Sequence, residues 1–253
     1  MKPIVYPYSM ASGGARDLAR ALDTRRVWPD RNYRHRPNHF IINWGSSTWP
    51  AWYRDAGVVH WLNNPHKVRL AANKGLSFQA LMDYKVSIPR FTTDKEVALS
   101  WETPVMVRHL LSSHSGRGCE YVEDLTVLPD APLYVEYIKK ATELRVHVMK
   151  MPDGTYDCID YRQKKVRQGS EDNNFQIRSY ANGWVFTREG VLVSPRAQAL
   201  AMSALMALQL DFAAVDIIHN AHRNEYYVLE VNTAPGLQGS TLGNYVQSIR
   251  RYL

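Results

Sequence analysis

Cysteine is scarce here: Cys119 and Cys158 are the only two in 253 residues. They make neither a disulfide framework nor a metal-ligand spacing, so the sequence predicts a reduced protein. Long apolar runs are missing too, and no stretch reaches the roughly 20 residues that a membrane-spanning helix needs. The first residues, MKPIVYPYSMASGG, lack the apolar segment of about 7–15 residues that marks a signal peptide. These absences predict a cytoplasmic location and no membrane partner. The nine histidines are scattered, with no HExxH-like or clustered ligand set. The serines lack a His–Asp context, which argues against a nucleophilic triad. His147, in an apolar strand, reads as a satisfied core histidine rather than a base. Repeats and low-complexity segments are absent as well.

Acidic residues are outnumbered, 24 against 31 basic ones, for a net charge of +7 and a pI near 9.4. That excess favours an anionic ligand: nucleotide, nucleic acid or acidic substrate. The 45% hydrophobic and 22% charged content is globular rather than disordered, and the length allows one large domain or two to three small ones sharing a core.

Periodicity and punctuation divide the chain. Residues 1–65 read as a small α/β unit: a strand at Ile4–Tyr6, a Ser12-Gly13-Gly14 turn, a helix over Ala15–Leu22 and an apolar strand at Phe40–Trp44. The Ser-Gly-Gly entry reads first as a plain turn and cap, although free N–H groups there could hold an anion. Pro65 then opens a helix with its apolar stripe over Leu70–Leu81, which ends before Ile88-Pro89. A short helix (Asp94–Ser100) and a strand (Val105–Leu110) lead into Ser112-Ser113-His114-Ser115-Gly116-Arg117-Gly118. This loop between strands is a flap rather than a P-loop, which needs a following helix and a Gly-Lys-Ser/Thr ending. Strands follow around Tyr121-Val122, Leu133–Ile138, Glu143–Met149 and Cys158–Tyr161. Next comes a polar insertion, RQKKVRQGSEDNN, of the kind that is either disordered or a lid. Ser194-Pro195 caps a helix to Leu210 with a stripe of Leu200, Ala204, Leu205 and Leu208. A short helix over Asn244–Arg250 closes the chain.

The most informative segment is Tyr226–Leu237, YYVLEVNTAPGL, read with Ala213–Ile218, AAVDII. Folded as a hairpin about Arg223, they set Asp216 opposite Glu230. Opposed residues share a face and alternate residues change it. One face then carries Asp216, Glu230 and Asn232; the other carries Val215, Ile217, Tyr227, Leu229 and Val231. Two facing carboxylates repel unless a cation lies between them, and an oxygen-only set suits Mg²⁺ completed by water and phosphate.

The order of these parts resembles the ATP-grasp superfamily. Within it, the resemblance is to carboxylate–amine ligases such as D-alanine–D-alanine ligase and the enzymes that add glutamate to ribosomal protein S6. It runs over roughly Asn64–Leu242 and rests on five segments in order: ANKGLSFQALMDYKVSIP, VMVRHLLSSHSGRG, YVEYIKKATELRVHV, IRSYANG, and VDI followed by LEVNTAPGL. It implies an α+β, ATP-grasp fold with ATP and Mg²⁺ held between two lobes. The three expected subdomains are 1–65 (a possible substrate side), 66–137 with the phosphate loop, and 138–253 with the metal hairpin.

The resemblance also implies roles. Lys74 falls at a lysine that contacts the ATP phosphates. Arg108 stands where a second phosphate lysine is usual, keeping the charge but adding a planar fork. Ser113, Ser115, Gly116 and Gly118 belong to the loop over the phosphates. Glu136, Tyr137 and Ile138 fall at the adenine hinge, and Glu143 at the ribose acceptor, with Arg145 after it as in the family. Arg178 matches an arginine near the transferring phosphate and joins Arg108 as a catalytic candidate. Tyr180 replaces an expected asparagine, and whether Asn182 takes its place is open. Asp216, Glu230 and Asn232 are the metal ligands. Gly236, Ser240 and Thr241 match a substrate-binding turn.

The implied cofactors are ATP and Mg²⁺, two ions, with Mn²⁺ as a substitute. The implied reaction joins a carboxylate to an amine through an acyl phosphate, with substrates that are small, peptidic or carried on a macromolecule. A kinase-like ATP-grasp phosphotransferase is the alternative. A second alternative is a basic nucleic-acid-binding protein with a decayed site, using Arg31, Arg34, Arg36, Lys164, Lys165, Arg167, Arg250 and Arg251. Oligomeric state is not legible.

Overall fold

A computed structural model describes residues 1–29, 33–55, 57, 59–112 and 117–253. Its three sheets follow one another along the chain. The first is parallel, from β1 (Lys2–Pro7), β2 (His39–Trp44) and β3 (His60–Leu62), with α1 (Gly13–Ala21) after β1. Both long strands are buried along nearly their whole length, as a parallel sheet covered on two faces requires. Ser12 caps α1 by accepting from the Ala15 N–H, which is the plain reading of the Ser-Gly-Gly turn.

The expected single helix before Pro89 is two: α2 (Pro65–Ala72) and α3 (Lys74–Asp83). Asn73 separates them in an extended conformation and caps the second through Leu76 N–H. An Asn side chain competes for backbone N–H groups, so it ends one helix and starts the next. The break makes Lys74 the first residue of α3, and its N–H donates to Leu111 O.

A four-stranded antiparallel sheet follows, ordered β4-β7-β5-β6: β4 (Phe91–Thr92), β5 (Val105–Arg108), β6 (Cys119–Val122) and β7 (Leu133–Glu136), with α4 (Lys95–Leu99) capped by Asp94. The last sheet is ordered β10-β9-β8-β11-β12. Its strands are β8 (Thr142–Lys150), β9 (Tyr156–Val166), β10 (Trp184–Thr187), β11 (Phe212–Asn220) and β12 (Glu225–Asn232). Here β9 runs into the stretch expected to be a polar insertion: Lys164 pairs with Glu143 of the neighbouring β8, and Arg162 lies 3.9 Å from Asp160 of its own strand. Between β10 and β11 lies α5 (Pro195–Ala207), capped by Ser194. Its buried stripe is Ala197, Ala201, Ala204 and Leu205, with Leu208 at the C-cap; Leu200 is only half-buried.

The closing helix α6 (Ser240–Arg250) is longer than expected and packs beside α1. Tyr245, Val246 and Ile249 of α6 join Val5, Leu18, Trp44 and Phe212 in one cluster, so the ends of the chain share a core. The larger cluster lies between α5, α3 and the inner face of the last sheet. Asn63 ties the first sheet to the last: its amide donates to Phe212 O (2.7 Å) and its Oδ1 accepts from Asp211 N–H (2.7 Å). No helix among the described residues is long and apolar enough to cross a membrane.

Candidate active site

Asp216 of β11 lies directly opposite Glu230 of β12, and Ala214 opposite Asn232. The expected register therefore holds as far as Asp216. Beyond it a bulge shifts the pairing, so that Ile217 meets Val228 and Ile218 meets Tyr227. Val228 takes the core place expected for Leu229 and Tyr227, which pack instead with Ile138 and Ile218 in a separate small cluster. One extra residue in a strand reverses the facing of everything after it.

Both carboxylates meet resident cations. Arg145 of β8 pairs with Asp216, Nε to Oδ1 at 2.7 Å and Nη2 to Oδ2 at 2.8 Å. Burial works against the Asp216 charge, but Arg145 outweighs it and holds the carboxyl below its ordinary range. Glu230 is shifted up, chiefly by burial, with Lys74 opposing at 4.0 Å. Lys74 is 7% exposed, and burial lowers its pKa against the pull of Glu230. Arg108, close enough to bias both of these groups, keeps a buried Nε with no hydrogen-bond partner among the described residues.

Two residues along β8, Glu143 is gripped by Lys164 (2.5 Å) and Lys140 (3.4 Å). Lys164 also donates to Arg178 O (2.5 Å), and Arg178 donates to Lys140 O (3.0 Å) with its guanidinium over Trp184. Burial lowers the Arg178 pKa, with Glu143 opposing. Glu136 pairs with Arg90 (3.0 Å) and lies 4.0 Å from Arg223, while its N–H donates to Arg90 O and that of Tyr137 to Pro104 O. Ile138 is buried beside Tyr227 and Ile218.

The turn after β12 is more divided. Gly236 is exposed, and Ser240 accepts from Arg188 at 2.6 Å. Thr241 is fully buried: its hydroxyl donates to Asp160 (2.5 Å) and accepts from Arg162 (2.7 Å). It sits behind the turn rather than in its mouth. Asn182 donates to Ile177 O and so closes its own loop, while Tyr180 is exposed under Arg167. Ser113, Ser115 and Gly116 lie outside the described residues, as do His114 and Arg31. Gly118 has φ +62°, and a Cβ there would meet Leu110 Cγ at 2.9 Å, so the base of the loop requires glycine. Two surface hollows of about 400 Å³ include none of the residues assigned to ATP, metal or substrate.

Several contributors were missed from sequence. Lys140 lies within YVEYIKKATELRVHV but carries no assigned role there, and Lys164 reads in the sequence as part of a basic surface. The Asp160–Arg162–Thr241 contacts join residues some 80 positions apart. The signal for Lys164 was alternation: with Arg162 it occupies every second residue of β9.

The donor set fits a hard divalent cation. Asp216, Glu230 and Asn232 offer oxygen alone, and no group of three or more His, Cys, Asp or Glu side chains suited to a metal occurs among the described residues. Two carboxylates and an amide leave the remaining coordination to water and phosphate, as Mg²⁺ prefers.

Residues 125–248 match the family of the RimK-like ATP-grasp domain. Over 110 residues the chain is 36% identical to the "Probable alpha-L-glutamate ligase" of Aeromonas salmonicida, a match covering 42% of this chain and 32% of that protein. It is 24% identical over 192 residues to the protein of the same name from Mannheimia succiniciproducens, covering 70% of this chain and 60% of that one. The chain thus spans about one third and three fifths of the lengths of these curated relatives. Among solved structures, the ATP-grasp ligase PsnB complexed with a phosphomimetic variant of minimal precursor, Mg and ADP superposes with a TM-score of 0.68. Its identity is 13%, over 99% of this chain and 98% of that one, a likeness of fold.

Proposed function

We propose, from the premise that this chain belongs to the ATP-grasp superfamily with a RimK-like domain over residues 125–248, that it is an ATP- and Mg²⁺-dependent carboxylate–amine ligase. The observation that carries this reading is the Asp216–Glu230 rung, with Asn232 on the next rung and Lys74 4.0 Å from Glu230. Asp216, Glu230 and Asn232 would hold Mg²⁺, one or two ions, with Mn²⁺ able to replace it. The metal, when bound, neutralises charge developing on the transferring phosphoryl group.

The residues of the chain supply the rest. Lys74 and Arg108 bring fixed positive charge to the phosphates, and the buried, unpartnered Arg108 Nε is a donor suited to a phosphate oxygen. Arg178, with Lys164 and Lys140 beside it, adds a second cationic group. Ile138, Tyr227 and Ile218 offer an apolar wall for a base, next to the backbone of Glu136 and Tyr137. The glycine-containing segment that ends at Gly118 is assigned to the phosphates. In the reaction a substrate carboxylate oxygen attacks the γ-phosphorus, and the bond to the β-phosphate oxygen breaks to release ADP. An amine nitrogen then attacks the acyl carbon, forming the C–N bond as phosphate leaves. The names of the relatives support L-glutamate as one of the two substrates, with the first sheet and the turn at Gly236 and Ser240 lining the acceptor side. We read the three sheets as three subdomains over 1–65, 66–137 and 138–253, in a protein that works in the cytoplasm.

The test is trapping. With ATP, Mg²⁺ and a panel of acids, hydroxylamine should intercept the acyl phosphate as a hydroxamate, and amide formation should release ADP and free phosphate. Label from γ-labelled ATP retained on a stable product, with no hydroxamate, overturns the reading in favour of a kinase-like transferase. A salt-dependent shift of labelled DNA or RNA without ATP turnover overturns it in favour of nucleic-acid binding.

A further inference from the structure

Asp216 sits within a rung that runs straight across four strands: Arg162, Arg145, Asp216 and Glu230. Lys74 continues it beyond Glu230. Arg145 meets Asp216 with both prongs, at 2.7 and 2.8 Å, and Asn232 Nδ2 approaches Oδ2 at 3.4 Å. Each carboxylate oxygen has two lone pairs, so Oδ2 has both directions engaged and Oδ1 keeps one. Arg145 is itself held in place. Its guanidinium carbon lies 4.1 Å from the Phe186 ring centroid. Arg162, its neighbour on β9, is turned away to Thr241 and Gln238 O. The two acids are therefore matched in charge by Arg145 and Lys74 without any metal.

Resting on the ligase reading above, we propose that Arg145 is the positioning residue of the metal face. It fixes the plane of the Asp216 carboxylate and keeps the affinity for a free divalent cation low, so that cation enters together with nucleotide phosphate. A lone cation at Oδ1 would lie beside a partly buried guanidinium and be repelled by it. A nucleotide brings negative charge on the far side of the same cation and offsets that repulsion. The fork matters as well as the charge, because two parallel hydrogen bonds leave the carboxylate no rotation.

The experiment titrates Mn²⁺ into the full chain, with and without ADP, and reads free Mn²⁺ by its electron paramagnetic resonance. Wild type should take up Mn²⁺ with ADP and weakly without it. Arg145→Met should bind Mn²⁺ alone at least about tenfold more tightly than wild type, while Arg145→Lys stays within about threefold. A purely structural arginine would not improve binding on removal. If Arg145→Met does not fold, Arg145→Gln, which keeps a hydrogen-bonding group without the charge, carries the same expectation. Equal or weaker Mn²⁺ binding by the charge-free variant, in a background where wild type takes up Mn²⁺ with ADP, overturns the role of Arg145 alone. A wild type that takes up no Mn²⁺ even with ADP overturns the metal-face reading and this proposal with it.

Discussion

The Asp216–Glu230 rung and the Glu143 rung occupy one face of one sheet, two residues apart on β8, yet they are charged differently. At the first, two acids are matched by Arg145 and Lys74. At the second, one acid is surrounded by Lys140, Lys164 and Arg178. On the proposal above, the balanced rung takes a cation more readily together with an anion. The rung with surplus positive charge is suited to an anion directly. A phosphate chain spanning the two would satisfy both, and neither rung by itself makes a nucleotide site.

The comparison breaks most readily at the balanced rung. Glu230→Ala, Asp216→Ala and Asn232→Ala should each lower ATP turnover by about a hundredfold or more, measured as ADP release. Stability should separate the two acids. Asp216→Ala leaves Arg145, whose side chain is 21% exposed, without its partner and should cost about 1.5–3 kcal/mol in denaturant unfolding. Glu230→Ala breaks no hydrogen bond to its cation, which is 4.0 Å away, and should cost less than Asp216→Ala. Wild-type turnover by Glu230→Ala at saturating Mg²⁺ would remove this rung from the reaction.

At the surplus-positive rung, Arg178→Ala and Lys164→Met should weaken ATP binding by about tenfold, as expected for lost charge-assisted hydrogen bonds. Unchanged affinity in both, by calorimetry, would mean that the excess charge serves something other than nucleotide. Arg108 sharpens the contrast: Arg108→Ala should lose about three- to tenfold in ATP affinity, and Arg108→Lys should recover part of it.

A separate test concerns His147, which shares the face of Arg145. Its Nδ1 meets Tyr245 OH at 3.2 Å, and its buried Nε2 has no hydrogen-bond partner among the described residues. Burial, aided by Arg145, pushes its pKa from 6.5 down to about 3. Below pH 6.5 the unfolded chain gains a proton that the folded chain refuses, so stability present above that pH drains away as pH falls toward 3. The slope is at most about 1.4 kcal/mol per pH unit. His147→Gln should flatten the stability profile between pH 6 and 4, and an unchanged slope would show that the ring protonates in place.

Much of the metal face was legible because alternation along two short strands is a local property. Asp216 and Glu230 could be paired from the hairpin centre alone, and Ser12, Asp94 and Ser194 announce their helices through capping chemistry. The counter-ions were not legible. Arg145 follows an acidic residue in the sequence but finds Asp216 across the sheet, 71 positions later. Lys164 reads as one of a basic run until β9 turns it toward Glu143.

The sequence alone therefore determined which residues could share a face, which oxygens could serve a cation and where helices begin, since these depend on spacing and neighbouring backbone. Tertiary structure decided the bulge that moves Tyr227 and Leu229 out of the core, and the burial of Thr241 behind its turn. It also decided which cation answers each carboxylate. Those outcomes depend on which strands become neighbours, and electrostatic pairing in a buried face is settled by distance in space, not along the chain.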